Sequence, residues 1–138
     1  MTRKEVIEHF FVIQNKKQQI VPFQQNYVQE KIDLVREQLK REGKPIWILV
    51  LKARQEGVSA KVVADWLVDC VSVNNTNAVI ISHEKESTKR LLRRAHFYID
   101  NSKLPIKNDI KSEYEISFPE MNSWYYIGTA GSRAFGRG

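Results

Sequence analysis

Hydrophobic positions recur along this 138-residue chain with the periods of short helices and buried strands. Thr2 and Glu5 have the spacing of a capping box at the start of a short helix. Two short strands follow in FFVIQNKKQQIVPF, joined at Asn15 to Lys17. From Asn26 the apolar period becomes that of a helix, which Gly43 is placed to end.

Two continuous apolar runs, Ile46–Leu51 and Ala78–Ser82, predict strands buried on both faces, as in a parallel sheet. A helical pattern follows each run, the second from about Glu84 to Asn101. EYEISF and WYYIG predict two more strands around the turn PEMNS. This alternation predicts a three-layer α/β architecture with right-handed crossovers. We expect the two apolar runs to be adjacent or nearly adjacent parallel strands.

Composition adds little to this prediction of the fold. The length fits one domain, and the net charge of +6 tolerates a polyanionic partner without demonstrating one. No apolar run approaches the roughly 20 residues that a membrane-spanning helix needs. The single cysteine, Cys70, lies in an apolar helical pattern, which predicts a core residue and a reduced intracellular setting.

The stretch VLKARQEGVSAK has the outline of a phosphate-binding loop, whose common form is G-x-x-x-x-G-K-[ST]. Aligned on Gly57 and Ser59, the chain has Lys52 in place of the first glycine and Val58 in place of the lysine. A long cationic side chain at the front of the turn can still reach phosphates above the following helix. The alternative is a surface turn in which Ser59 caps the helix, and taken alone that alternative is favoured.

Three segments together resemble the large terminase subunits, the motors that package DNA into tailed-phage heads. KARQEGVS resembles the deviant Walker A loop of that family, K-x-R-x-x-G-x-S, at Lys52, Arg54, Gly57 and Ser59. VPFQQNYVQ resembles its adenine-recognition segment, at Asn26 and Gln29. These two side chains are equally well spaced for a capping box.

The third segment, IGTAGSRAFGRG, resembles the glycine-rich segment that precedes the Walker B strand, with G-R-G at residues 136–138. Its alternative is a disordered glycine-rich end. The resemblance spans about Phe11 to Gly138. It implies a three-layer, RecA-like P-loop NTPase core with parallel central strands, truncated before the Walker B strand. Residues 1–25 would form an N-terminal helix, hairpin and adenine-side segment, and residues 26–138 an incomplete nucleotide-binding core.

The resemblance also implies a nucleotide site for ATP and Mg²⁺. Lys52 would contact the outer phosphates, Ser59 would hold magnesium, and Gln29 would recognise adenine. Arg137, between two glycines, has the flexible mount of an arginine finger that completes a neighbouring subunit's site. The alternative is that the glycines only permit a tight turn and Arg137 is solvated. The implied nucleotide-binding residues are Gln29, Lys52, Ala53, Arg54, Gln55, Glu56, Gly57, Val58 and Ser59.

In such a motor, ATP hydrolysis drives double-stranded DNA into a capsid. The implied partners are DNA, a portal protein, a small terminase subunit and further copies in a ring, in the cytoplasm of a bacterial host. No apolar strand ending in Asp-Glu is found, so we expect the 138-residue chain to be inactive by itself. The alternatives are a helicase-type ATPase fragment, against which Val58 argues, and a non-catalytic basic α/β module that binds DNA or a partner protein.

A basic helix face is the remaining candidate. Lys89, Arg90, Arg93 and Arg94 share one side of the predicted helix and could meet the phosphate backbone of a nucleic acid. A solvated face is commoner at such positions and is favoured here. No Cys or His pair has the spacing of a zinc site.

Overall fold

The computed structural model describes residues 2–50, 57–112 and 114–131. In chain order, its elements are α1 (Arg3–Phe10), β1 (Val12–Gln14), β2 (Ile20–Pro22), α2 (Tyr27–Arg41), α3 (Val58–Ser72), β3 (Asn77–Ser82), α4 (Lys85–Asp100), β4 (Asp109–Ser112), β5 (Glu115–Phe118) and β6 (Ser123–Thr129). A single 3₁₀ turn at Pro119–Met121 joins β5 to β6. No helix in these ranges is long and apolar enough to cross a membrane.

The main sheet has four strands in the order β3-β6-β5-β4, and β1 and β2 form a separate antiparallel hairpin. β3 and β6 run parallel, in register from Asn77 opposite Trp124 to Ser82 opposite Thr129. β5 is antiparallel to both of its neighbours. The parallel pair flanked by helices confirms the predicted α/β class, and the strands predicted in AVIIS, EYEISF and WYYIG are all present.

The strand predicted at Ile46–Leu51 is wrong for the part of it that the structure describes. Residues 46–50 form no strand, and the side chains of Trp47 and Leu49 are each 87% exposed. An apolar run predicts burial, but a buried strand also needs neighbouring backbone to pair its N–H and C=O groups. Within the described ranges β3 pairs with β6 instead, and no strand pairs with residues 46–50.

The core lies between the sheet and the helices α3 and α4. Tyr125 of β6 is buried, and its hydroxyl donates a 2.9 Å hydrogen bond to the carbonyl of Val63 in α3. Cys70 is buried in the same core, as predicted, and burial raises the pKa of its thiol to about 12. On the opposite face of the sheet, Val79 and Ile81 of β3 are about half exposed. Sheet and helical layer thus account for two of the three predicted layers.

Charged groups, more than apolar ones, hold α2 against α3. Lys61 of α3 is fully buried, and its ammonium lies 2.7 Å from the Asp33 carboxylate of α2 and 2.9 Å from that of Asp65. It also donates a 2.6 Å hydrogen bond to the side-chain oxygen of Gln25. Three partners, in α2, in α3 and in the segment before α2, therefore fix this ammonium. Gln29 is the buried residue of α2.

Two arginines extend this charged cluster. Arg3 of α1 lies 2.8 Å from the Asp69 carboxylate, and Arg36 of α2 lies 3.9 Å from Asp65 and 3.7 Å from Asp69. Burial raises the pKa of the Asp65 carboxyl, and the charges of Lys61 and Arg3 oppose that rise. The arginines thus place α1 and α2 on the same face of α3.

We expect Lys61→Met to lower the free energy of unfolding by about 3–5 kcal/mol, because it leaves buried carboxylates without their main partner. The matched control is Lys40→Met at an exposed position of α2, which should change it by less than about 0.5 kcal/mol. Urea unfolding followed by circular dichroism measures both variants. Equal stabilities for the two would show that the buried ammonium does not hold these helices together.

Candidate functional site

The amide of Gln29 joins two segments that the sequence singles out separately. Its oxygen accepts a 2.8 Å hydrogen bond from the Asn26 backbone N–H, and the Asn26 side chain accepts one of 2.9 Å from the Gln29 N–H. These two bonds form a complete capping box at the start of α2. The Gln29 nitrogen also donates a 2.8 Å hydrogen bond to the carbonyl of Gly57. The cap and the glycine of the predicted phosphate loop are therefore in direct contact.

Gln29 keeps some capacity to bind a ligand in this arrangement. Its side chain is 4% exposed, and one amide hydrogen and the oxygen are engaged by Gly57 and Asn26. A carboxamide carries two donor hydrogens and two acceptor lone pairs, so one of each remains. An adenine edge, which offers neighbouring donor and acceptor groups, needs one of each.

Gly57 is required at its position for two reasons. Its φ of +77° lies in the left-handed region, which costs other residues roughly 1–2 kcal/mol. A Cβ added there would lie 2.7 Å from the Gln29 side-chain nitrogen and 3.2 Å from that of Asn26. The left-handed turn disfavours any other residue, and a Cβ would force the hydrogen-bonded Gln29 amide to shift.

α3 begins immediately after this glycine. Gly57 occupies the N-cap position, and in the described residues no side chain caps the helix. Ser59 lies exposed within the first turn, so the alternative in which Ser59 is the helix cap is wrong. The first N–H groups of a helix have no intrahelical acceptor, and they carry the positive end of the helix dipole. This turn therefore favours an anion.

Two neighbouring cavities border the start of α3. One, of about 500 Å³, includes Asn26, Gln29 and Gly57 in its lining. The other, of about 570 Å³, includes Val58 and Ser59 and the carboxyl end of β3, where ligand sites of open α/β sheets lie. The predicted site residues within the described ranges are thus divided between adjoining cavities. Arg90 and Arg94 of α4 line both of them, which the sequence did not predict.

Several predicted site residues lie outside the described ranges, and their roles stay predictions. They are Lys52, Ala53, Arg54, Gln55, Glu56 and Arg137. Within the described ranges, no group of three or more His, Cys, Asp or Glu side chains is arranged to hold a metal ion.

Comparison with known proteins bears on the fold. No protein-family model matches the sequence, and no curated protein matches it. The crystal structure of the HK97 bacteriophage large terminase is similar to this chain, with a TM-score of 0.80 over 95% of it at 17% sequence identity. The chain has a large-terminase fold. It spans about a quarter of the HK97 terminase chain, 27%, so the likeness concerns part of that protein. The resemblance predicted from the sequence is confirmed for the fold.

We expect Gly57→Ala to destabilise the protein more than Gly43→Ala. Gly43 also has a positive φ, +69°, but a Cβ added there meets no atom within 4 Å, so Gly43→Ala isolates the backbone cost of roughly 1–2 kcal/mol. Gly57→Ala adds the clash with Gln29, for a total of about 2–4 kcal/mol by denaturant unfolding.

A double-mutant cycle assigns the difference between the two glycines to Gln29. In a Gln29→Ala background the additional cost of Gly57→Ala should fall by at least about 1 kcal/mol, because the clashing amide is gone. Equal costs for the two glycine substitutions, or an additive cycle, would contradict a tight contact between Gln29 and Gly57.

Proposed function

We propose that this chain is the nucleotide-binding part of a phage or prophage DNA-packaging ATPase, and that it binds ATP with Mg²⁺. The observation that carries the proposal is the hydrogen bond from Gln29 to Gly57. The resemblance assigns one of these residues to adenine and the other to phosphate, and they lie 28 positions apart in the sequence. Their contact on the lining of one cavity is what a single ligand touching both segments requires.

The described residues fit a nucleotide with magnesium. The remaining donor and acceptor of Gln29 suit the adenine edge, and the uncapped first turn of α3 suits phosphate oxygens. The exposed hydroxyl of Ser59, in the same turn, would hold magnesium. When bound, the ion neutralises charge on the outer phosphates. Lys52 would contact those phosphates from the front of the loop, and Arg54 would shape the loop or contact phosphate.

The role of the whole motor follows from the large-terminase fold and belongs to the proposal. ATP hydrolysis would drive translocation of double-stranded DNA into a capsid, with a portal protein, a small terminase subunit and further copies in a ring. Arg137 would complete the site of the neighbouring copy. Because no apolar strand ending in Asp-Glu is found in the sequence, we expect the 138-residue chain to bind ATP without efficient turnover.

Thermal unfolding with Mg·ATP tests the proposal. ATP should raise the melting temperature, and Lys52→Ala should weaken the fitted affinity by about tenfold or more because it removes a phosphate contact. The control is Lys44→Ala, an exposed lysine that pairs with Glu42 at 3.0 Å, which should leave affinity within about twofold. Lys61 is no control for this purpose, since its ammonium is buried among carboxylates.

The absence of any ATP effect on melting would contradict the proposal. Tight binding of double-stranded DNA under the same conditions would then support the other function that the sequence leaves open, a non-catalytic basic module.

A further inference from the structure

The helix α4 presents arginines to the two cavities described above. Arg90 and Arg94 line both cavities, and Arg93 lines the one of about 500 Å³. Positions 90 and 94 are one helical turn apart, so their side chains project from the same face. Lys89, which precedes them on the exposed side of the helix, lines neither cavity. Of the basic face predicted from the sequence, Arg90 and Arg94 therefore line both cavities, whereas Lys89 lines neither.

Positively charged side chains line both cavities. Among the described residues that line them there are three arginines and no aspartate or glutamate. Arg90 is 65% exposed and makes a 3.2 Å hydrogen bond to Ser87 and a long 3.9 Å contact with Glu84. In the described part of the chain no carboxylate lies within 4.0 Å of Arg94.

Arg94 lines the cavity of about 500 Å³ together with Ala60, in the first turn of α3. Tyr98, one turn further along α4, is buried, and its hydroxyl donates a 3.2 Å hydrogen bond to the carbonyl of Ala60. Burial raises the pKa of this hydroxyl, and the charge and hydrogen bond of Arg94 oppose the rise. The Arg94 guanidinium, the Tyr98 hydroxyl and the start of α3 are thus neighbours. Cationic and dipolar groups from two helices converge on one volume.

The loop itself lacks a cation where such loops usually have one. Val58 stands at the usual lysine position, is buried, and lines the second cavity together with Arg90 and Arg94. A bound triphosphate carries several negative charges and needs compensation on more than one side. The arginines of α4 face the position that valine leaves uncharged.

We propose that Arg90 and Arg94 of α4 bind the phosphate groups of the nucleotide. The nucleoside would lie in the cavity next to Gln29 and the phosphates toward Ser59, so that they pass between α4 and the first turn of α3. Guanidinium groups suit this role because each offers a planar pair of donors to phosphate oxygens. This inference rests on the proposed function.

Isothermal titration of the purified protein with three probes tests it: Mg·ATP, adenosine and inorganic tripolyphosphate. For the double variant Arg90→Gln with Arg94→Gln we expect losses of at least about tenfold in affinity for ATP and tripolyphosphate, and adenosine affinity within about threefold. The control is Lys89→Gln, which removes one positive charge from an exposed position of the same helix that lines neither cavity and should leave all three affinities unchanged within error. Circular dichroism and the melting temperature confirm that each variant is folded.

The outcomes separate this inference from the proposed function. Unchanged ATP affinity in the double variant would overturn the arginine assignment and leave ATP binding intact. Tripolyphosphate binding that depends on the arginines, without adenosine binding, would support the assignment and contradict adenine recognition. Equal losses for ATP and adenosine, or no tripolyphosphate binding by the unmodified protein, would overturn the assignment. A parallel titration with a double-stranded DNA oligonucleotide would also overturn it if the double variant lost only DNA binding, since that result would assign the arginines to a DNA backbone.

Discussion

The hydrogen bond from the Gln29 amide to the Gly57 carbonyl is the constraint on which the arrangement of the site depends. The same amide completes the cap of α2, so the start of one helix and the start of the next are fixed by one side chain. The approach is close enough that a Cβ at Gly57 would force the Gln29 amide to shift, and Gly57 has a left-handed backbone where α3 begins. Moving either helix would break the cap, the turn or both.

The buried ammonium of Lys61 also links the two helices that this contact joins. One turn into α3, Lys61 binds Gln25 and Asp33, which flank the capping box in the sequence. Buried ion pairs contribute little net stability compared with apolar packing, but they require a specific geometry. A misplaced helix would leave a buried charge without a partner. α2 therefore has a defined position against α3 although most of its apolar stripe is only partly covered. A rigid junction of this kind suits a site assembled from distant segments.

Local patterns in the sequence predicted most of the elements correctly. The caps at Thr2 and Asn26, the strands β3, β5 and β6 and the helix α4 depend on neighbours within a few residues, which periodicity and capping rules capture. The strand predicted over residues 46–50 was wrong because pairing partners, and not composition, decide whether an apolar run becomes a strand.

The site could be predicted only in part, because its contacts join residues that are far apart in the sequence. Gln29 and Gly57 were identified from their motifs, but their mutual contact is a long-range fact. In the sequence Lys61 looks like any other helical lysine, because its partner Asp33 lies on another helix. The i,i+4 spacing of Lys61 and Asp65 was a usable signal of an ion pair. Arg90 and Arg94 share a face with solvated residues, and only the packing of α4 against α3 distinguishes them.

The central claim is that the junction of Gln29 and Gly57 is where a nucleotide binds. Nuclear magnetic resonance of the ¹⁵N-labelled 16.1 kDa protein tests it most directly, since the side-chain amide of Gln29 and the backbone N–H of Gly57 give separate signals. On titration with Mg·ATP both signals should shift together along one saturable binding curve, while that of Gly43, beyond the far end of α2, stays in place. Saturation with ATP that leaves the Gln29 and Gly57 signals unmoved would contradict the account.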